Sequence, residues 1–355
     1  MTRDYSHLFP TAKTPTPPSP LRCLGWQHFF AQQLSADELI ETPPARVTAV
    51  HRSRFHVLGD GIDVQVPPLP DTTVGDWVLY DPATGTATRR LERKSLIKRR
   101  APGTDRAVQL IAANIDTAFI VTSCNQDFNV ARLERYVALV LEAELSPVIL
   151  LTKVDLCDDA QTYLDEARKV SSRADVVALD ARHGDVASQL APWTGAGQTI
   201  AFLGSSGVGK STLTNALTGG DTIATQEIRE ADDKGRHTTT HRALHPVAGG
   251  CMVMDTPGMR QLQLTDIAAG VEAVFADLHD LSAQCRFRDC MHDSEPGCAV
   301  QAAVADGTID ADRIRRWRKL VSEEERNTAN LAERRSKDKQ LGKFINSVQR
   351  KNPKE

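Results

Sequence analysis

One stretch limits the possible folds of this chain more than any other: Gly204-Ser205-Ser206-Gly207-Val208-Gly209-Lys210-Ser211. It fits the pattern of a glycine, four residues, a glycine, a lysine and a serine that cradles phosphate. An apolar run, Gln198 to Leu203, leads into it and reads as a buried strand, and Ser211 to Leu217 reads as a helix. Glycines let the backbone turn its N–H groups inward around phosphate oxygens, and the helix N-terminus adds partial positive charge. Lys210 would reach the β- and γ-phosphates, and the Ser211 hydroxyl would ligate Mg²⁺. The plain alternative, a glycine-rich turn before a helix, leaves the lysine and the hydroxyl unexplained.

At 355 residues the chain is expected to hold two or three domains. Its 41% hydrophobic and 25% charged content is that of a soluble globular protein. No apolar run approaches the roughly 18 residues needed to span a bilayer, and the N-terminus lacks the apolar core of a secretory signal. A cytoplasmic location with no membrane partner is expected. The net charge of −3 means that nucleic acid could be bound only by local basic patches.

Residues 1–20, rich in Pro, Thr and Ser, read as a disordered tail. Leu24 to Leu34 reads as a short amphipathic helix docked on a later domain. From Ala45 to Tyr80, short segments rich in β-branched and aromatic residues alternate with turn signals at Gly59-Asp60-Gly61, Pro67-Pro68 and Asp81-Pro82. A small barrel of the OB-fold type is the expectation. Arg89 to Arg100 follows, with seven basic residues in twelve. It reads either as a solvated strand end and linker or as a phosphate-binding patch on the barrel. From about 110 to 265 strands and helices alternate. Thr117–Thr122, Pro147–Leu151, Asp175–Leu179, Arg242–Val247 and Cys251–Asp255 read as strands. Ala131–Leu145 reads as a helix with Leu133, Val137, Val140, Leu141 and Leu145 on one face, and Ala160–Val170 as a polar one.

Two further motifs match the phosphate loop. Thr152-Lys153-Val154-Asp155 follows a buried strand. A carboxylate there accepts two hydrogen bonds from guanine N1–H and its exocyclic amine, a donor pair that adenine lacks, while the Lys153 stem lies over the ring. Asp255-Thr256-Pro257-Gly258 ends another strand, where Asp255 would bind Mg²⁺ through water and the Gly258 N–H would meet the γ-phosphate. Together the three motifs indicate GTP. Between them, Asp221 to Arg242 is a long polar loop in the place of a first switch. One threonine among Thr238, Thr239 and Thr240 would close on Mg²⁺, and the middle one, Thr239, is assigned. The guanine motif precedes the phosphate loop, so the domain reads as circularly permuted, with Val177–Gly184 as the second guanine-contacting loop and the Ala181 N–H as its donor. Whatever follows Gly258 is then tethered to the element that moves on hydrolysis. Met259 stands where a water-orienting glutamine is common, so slow intrinsic hydrolysis is expected. His237 is the catalytic candidate for positioning water, alongside Lys210.

Cys285, Cys290, His292 and Cys298 offer three thiolates and one imidazole within fourteen residues. Cys₃His is a closed, tetrahedral set for one structural zinc ion. From Asp312 the chain is helical in composition, with basic clusters at Arg313, Arg315, Arg316, Arg318 and Lys319 and at Arg334, Arg335, Lys337, Lys339 and Lys343. With a zinc module before them, these favour a nucleic-acid surface over plain solvated faces.

The permuted order, the HTTT-containing switch, DTPG and the Cys-x₄-Cys-x-His-x₅-Cys spacing together resemble the RsgA family of small ribosomal subunit biogenesis GTPases over roughly residues 45–345. The resemblance implies a multidomain chain. It would have a tail and short helix at 1–44, an OB-fold at 45–105, a permuted α/β GTPase domain at 106–268, and a mostly α-helical zinc domain at 269–355. It implies a monomer that binds GTP and GDP, the late-assembling small ribosomal subunit and its rRNA. Hydrolysis would be stimulated by that subunit, and the factor then released. Thr152, Lys153 and Asp155 would read guanine, Gly204 to Thr212 would hold phosphates and Mg²⁺, and the Cys₃His set would hold zinc. Two departures stand out: Thr152 where asparagine is commoner, and an N-terminal segment that these motifs do not explain. Two rivals are a small-molecule kinase, disfavoured by the guanine and switch motifs, and an RNA-binding module with a vestigial nucleotide site, disfavoured by the intact Lys210 and Ser211.

Overall fold

Strands apolar on both faces must be covered on both faces, and that requirement organises the centre of the molecule. A computed structural model describes residues 19–51, 53–100, 108–219, 242–247, 249–255 and 267–328. Strands β8 (Thr117–Ser123), β9 (Ser146–Thr152) and β11 (Thr199–Leu203) are buried over almost their whole length. With β10 (Asp175–Ala178) and β13 (Cys251–Asp255) they form a parallel sheet in the order β10-β9-β8-β11-β13. Alternate residues face opposite sides. Ile120, Ile149 and Leu151 pack with Val137 and Val140 of helix α4 (Val130–Glu142). Phe119, Val121 and Phe202 pack with Leu190 of α6 (Val186–Leu190) and Leu213 of α7 (Lys210–Thr218). The expected alternating α/β region is therefore a three-layer sandwich, with α5 (Ala160–Arg168) closing the turn from β9 to β10.

The sheet does not stop at this domain. β12 (Arg242–Val247) runs antiparallel to β13 and then pairs with β1 (Pro44–Val50), Ala49 opposite Ala243 and Val50 opposite Arg242. β1 in turn pairs with β2 (Phe55–Gly59), which pairs with β3 (Ile62–Val66), and with β4 (Trp77–Asp81), which pairs with β5 (Thr86–Arg90). These antiparallel strands enclose their own small core of Val47, Phe55, Val57, Val66 and Val78. A separate pair, β6 (Leu96–Arg100) with β7 (Val108–Ala113), connects this module to β8.

The N-terminal segment departs from the single helix expected over Leu24–Leu34. It forms α1 (Pro20–Cys23), α2 (His28–Ala31) and α3 (Ala36–Glu41), because Gly25 takes φ +90° and turns the chain between the first two. Docking on a later element does occur. Trp26 and Phe30 pack on Trp77 with ring centroids 4.7 and 5.8 Å away. Beneath them Arg46 is fully buried, and its guanidinium donates to the carbonyls of Leu24, Gly75 and Asn114 and to Thr199 Oγ1. Burial lowers its pKa to about 10, still high enough to keep it charged, so one cation ties the N-terminal segment, the β-module and the central sheet.

After residue 267 come α8 (Ala268–Val274), α9 (Ala276–Ser282), α10 (Ala299–Ala305) and α11 (Ala311–Thr328). Their apolar residues Val271, Phe275, Val300 and Ile314 belong to the same core as α4. Charge reinforces the join: Glu134 of α4, 1% exposed, receives Arg316 Nε at 2.9 and 3.0 Å, and Arg313 bonds Asp277. The first tail cluster is thus largely consumed inside the molecule, Arg318 included, which donates to the Met291 and His292 carbonyls. The run at 89–100 behaves similarly in part, since Arg89 pairs with Glu38, Arg93 with Asp76 and Lys94 with Asp116. No helix among the described residues is long and apolar enough to cross a membrane. The second tail cluster, from Arg334, lies outside the described residues.

Candidate nucleotide site and metal centre

In a parallel sheet the loops after neighbouring strands gather at one edge, and ligands bind there. Here the carboxyl ends of β8, β9, β10 and β11 bring together residues 124–129, 152–156, 179–184 and 204–210. The phosphate loop follows β11. Gly204 takes φ +138°, and a Cβ there would lie 2.2 Å from the Val121 carbonyl oxygen, so no side chain fits where β11 leaves β8. Val208 is buried and anchors the loop from below, while Ser206 and Gly207 are exposed at its crest. Gly209 precedes α7, whose first N–H groups have no side-chain cap. Lys210 folds back over the loop and donates to the carbonyls of Gly204, at 2.9 Å, and Ser205. Ser211 is exposed on the first turn of α7 and Thr212 half-buried beside it.

Thr152 ends β9 fully buried. Its hydroxyl lies 2.7 Å from the Val208 carbonyl and 3.1 Å from that of Thr122. The single hydroxyl therefore bridges the start of the 152–156 loop, the phosphate loop and β8. The next residue, Lys153, has φ +59°, a backbone state costly for a side-chain-bearing residue and typical of functional corners. A short 3-10 turn, Val154–Leu156, then exposes Asp155. The loop after β10 folds on Asp180, which accepts from the backbone N–H of Arg182 at 2.8 Å and of His183 at 3.2 Å. Those amides, with the His183 ring, hold its carboxyl below the usual range. Asp155, Asp180 and His183 come within 4.8 Å of one another. The two loops expected to grip a base are thus adjacent. Asp180, beside the Ala181 N–H singled out in sequence, organises the second of them. An aspartate followed two residues later by small or polar turn residues was the available signal.

His237, Thr238, Thr239, Thr240, Gly258 and Met259 lie outside the described residues. Asp255 is described only as the last residue of β13, with its backbone opposite Ala243.

The Cys₃His set does converge. Cys285 Sγ and Cys298 Sγ lie 3.9 Å apart, and His292 Nδ1 is 3.5 and 3.6 Å from them. All four donor atoms, Cys290 Sγ included, fall within 4.8 Å of one another. A tetrahedral centre with metal–sulfur bonds of about 2.3 Å and metal–nitrogen bonds of about 2.0 Å requires edges of roughly 3.8 Å between sulfurs and 3.5 Å between sulfur and nitrogen. The observed edges fit zinc. His292, 8% exposed, takes φ +59° and lies against the Trp317 ring. Burial and the nearby Arg318 lower its pKa, which favours the neutral ligating form. Burial raises the Cys290 thiol to about 11. For Cys285 burial pulls upward too, but the Ala299 and Val300 amides and the neighbouring thiols bring it below its ordinary value. Glu295 collects the N–H groups of Met291, Asp293 and Ser294 at 2.9 to 3.1 Å and shapes the loop. Elsewhere Cys124 and Cys251 are buried, their thiols pushed up by burial to about 11 and about 12, as expected of inert core thiols.

Known proteins share this arrangement. A family model described as RsgA GTPase matches residues 90–265, and one described as ABC transporter matches 193–341, a stretch that contains the phosphate loop. The small ribosomal subunit biogenesis GTPase RsgA of Mesorhizobium japonicum is 50% identical over 325 residues, covering 89% of this chain and 93% of its own. The protein named small ribosomal subunit biogenesis GTPase RsgA 2 of Vibrio parahaemolyticus is 47% identical over 333 residues, 93% of each chain. Among solved structures, YjeQ from Thermotoga maritima superimposes with a TM-score of 0.60 at 26% identity, over 79% of this chain and 97% of that one. YloQ, described as a circularly permuted GTPase, gives 0.57 at 26% identity, over 81% and 97%.

Proposed function

The chain belongs to the RsgA family of GTPases, and from that premise we propose that it binds the small ribosomal subunit late in assembly and couples GTP hydrolysis to maturation and to its own release. The observation that carries the reading is the Thr152 hydroxyl. It joins the loop for the base to the loop for the phosphates, so one guanine nucleotide can engage both. Asp155 and Lys153 grip guanine, with the Ala181 N–H as a further donor. Gly204 to Thr212 wrap the phosphates, and the exposed Ser211 holds Mg²⁺ with Asp255 and Thr239. Bound Mg²⁺ supplies positive charge to the β- and γ-phosphates. Lys210 exchanges its loop carbonyls for phosphate oxygens, and the Gly258 N–H meets the γ-phosphate. His237 orients water in place of the glutamine that Met259 replaces.

In this reading an N-terminal segment, residues 1–44, precedes an OB-fold at 45–105, the permuted GTPase domain at 106–268 and a zinc domain at 269–355. The protein works as a cytoplasmic monomer. Phosphates of rRNA meet those basic groups that remain exposed, such as Lys98 on β6 and Arg286 and Arg288 in the metal loop, since most of the α11 arginines serve internal pairs. Zinc, held by Cys285, Cys290, His292 and Cys298, is structural, because four protein donors leave no open position. The test is GTP turnover by the protein alone, with purified small subunits and with large ones. A rise with small subunits alone is expected. No rise with either, or an equal rise with both, would refute the assembly role while leaving the GTPase.

A further inference from the structure

The first turn of α4 brings a second cation to the phosphate loop. Arg132 donates to Ser205 Oγ and, at 2.7 Å, to Asp127 Oδ1. Its own position is fixed from two directions. In front, Asn129 caps α4 by accepting the Arg132 N–H at 2.9 Å, and Asn125 Oδ1 receives the Asp127 N–H at 2.9 Å and the Ser123 hydroxyl at 2.8 Å. Behind, α4 is braced by the C-terminal helices. Glu134 binds Arg316, Arg135 binds Glu323, and Glu142 accepts the Gly270 N–H at 2.8 Å.

We propose that Arg132 is a positioning residue of the phosphate loop, holding its first turn through Ser205 and linking that turn to the helix on which the C-terminal module is docked. The assignment rests on the GTP-binding reading above. Lys210 donates to the Ser205 carbonyl here, and it must leave that carbonyl to reach a phosphate. The Arg132 contact uses the side-chain hydroxyl instead, so it persists when the lysine departs. Asp127 partly neutralises the guanidinium and directs it to the loop rather than to the ligand. A contact made to the loop serves GDP and GTP alike, unlike one made to the γ-phosphate.

Equilibrium titration with fluorescent GDP and GTP analogues, single-turnover hydrolysis and thermal unfolding test this on the full chain. Arg132→Ala and Ser205→Ala are each expected to weaken both nucleotides by roughly tenfold and to leave the unfolding midpoint in place, and Arg132→Ala is expected to keep the single-turnover rate of the saturated enzyme. The double variant is expected to bind no worse than either single one. Arg132→Lys recovers part of the loss, because an ammonium keeps the charge and the N–H donors but ends on a shorter, more flexible stem than the guanidinium, whose one terminal nitrogen serves both Ser205 and Asp127. Additive losses, unchanged affinity, loss confined to GTP, or a midpoint that falls with affinity would overturn the proposal. A wild-type protein that bound neither nucleotide would instead refute the GTP reading.

Discussion

The nucleotide corner and the metal loop each draw ligand donors from a short stretch of chain, yet they are held together by opposite means. From Gly204 to Lys210 the donors are backbone N–H groups and one lysine, and the geometry comes from outside. β11 is hydrogen-bonded to β8 and β13, and Thr152 braces the loop from β9. From Cys285 to Cys298 the donors are side chains on a stretch without helix or strand between α9 and α10, so the ligand set is itself the main cross-link within that stretch. A loop scaffolded by a sheet should keep its shape without its ligand. One assembled from four side chains should lose its shape when the metal leaves.

Removing the metal is the widest test of this contrast and carries the largest expected effect. Cys298→Ser should abolish stoichiometric zinc and expose α10 and α11 to hydrogen exchange, given apparent binding energies on the order of 10 kcal/mol for structural zinc. GTP affinity, measured in the same preparation, should fall far less. Equal collapse of the phosphate loop would show the two sites to be one cooperative unit, joined through α4.

Two glycines sharpen the comparison within the phosphate loop. Gly204→Ala should cost about 3 kcal/mol in urea unfolding, because backbone strain adds to a clash with Val121. Gly207 also has positive φ, +76°, but a Cβ there meets nothing within 4 Å. Gly207→Ala should therefore cost only about 1 kcal/mol. Similar losses at both positions would mean that contact with β8 does not set the loop.

The smallest effect is expected at the bridge. Thr152→Ala removes the hydroxyl that lies between the Val208 and Thr122 carbonyls, and should weaken GTP by about threefold with zinc content unchanged. Thr152→Asn, with two N–H donors, should restore much of the affinity. No loss in the alanine variant would show that the phosphate loop is held by β8 and β11 alone.

Which features were legible in sequence follows from how local their causes are. The central strands were readable because apolar runs such as Thr117–Thr122 leave few alternatives to burial. The metal set was readable because its spacing alone keeps the four donors within reach of one another. Three features were not. The N-terminal helix breaks at Gly25, where the chain turns to lay Trp26 and Phe30 on Trp77, a partner far along the chain. The arginines of α11 read as a nucleic-acid face, yet Arg316 finds Glu134, 182 residues away. Arg132 carried no signal at all, since nothing in Val130–Glu142 says which loop its first turn faces.

Sequence alone decided the chemistry: a lysine and hydroxyl behind a glycine loop, a carboxylate after a strand, three thiolates with an imidazole, and the permuted order in which they come. Each depends on residue type and on spacings of a few positions, which short chain geometry converts directly into local structure. Tertiary structure decided the connections: the sheet that runs from the nucleotide corner through β12 into β1, the buried Arg46 beneath the N-terminal segment, and the ion pairs that seat the C-terminal helices on α4. Those depend on which of many similar charges and apolar faces meet. That choice is made by the free energy of the whole packed chain, not by any stretch of it.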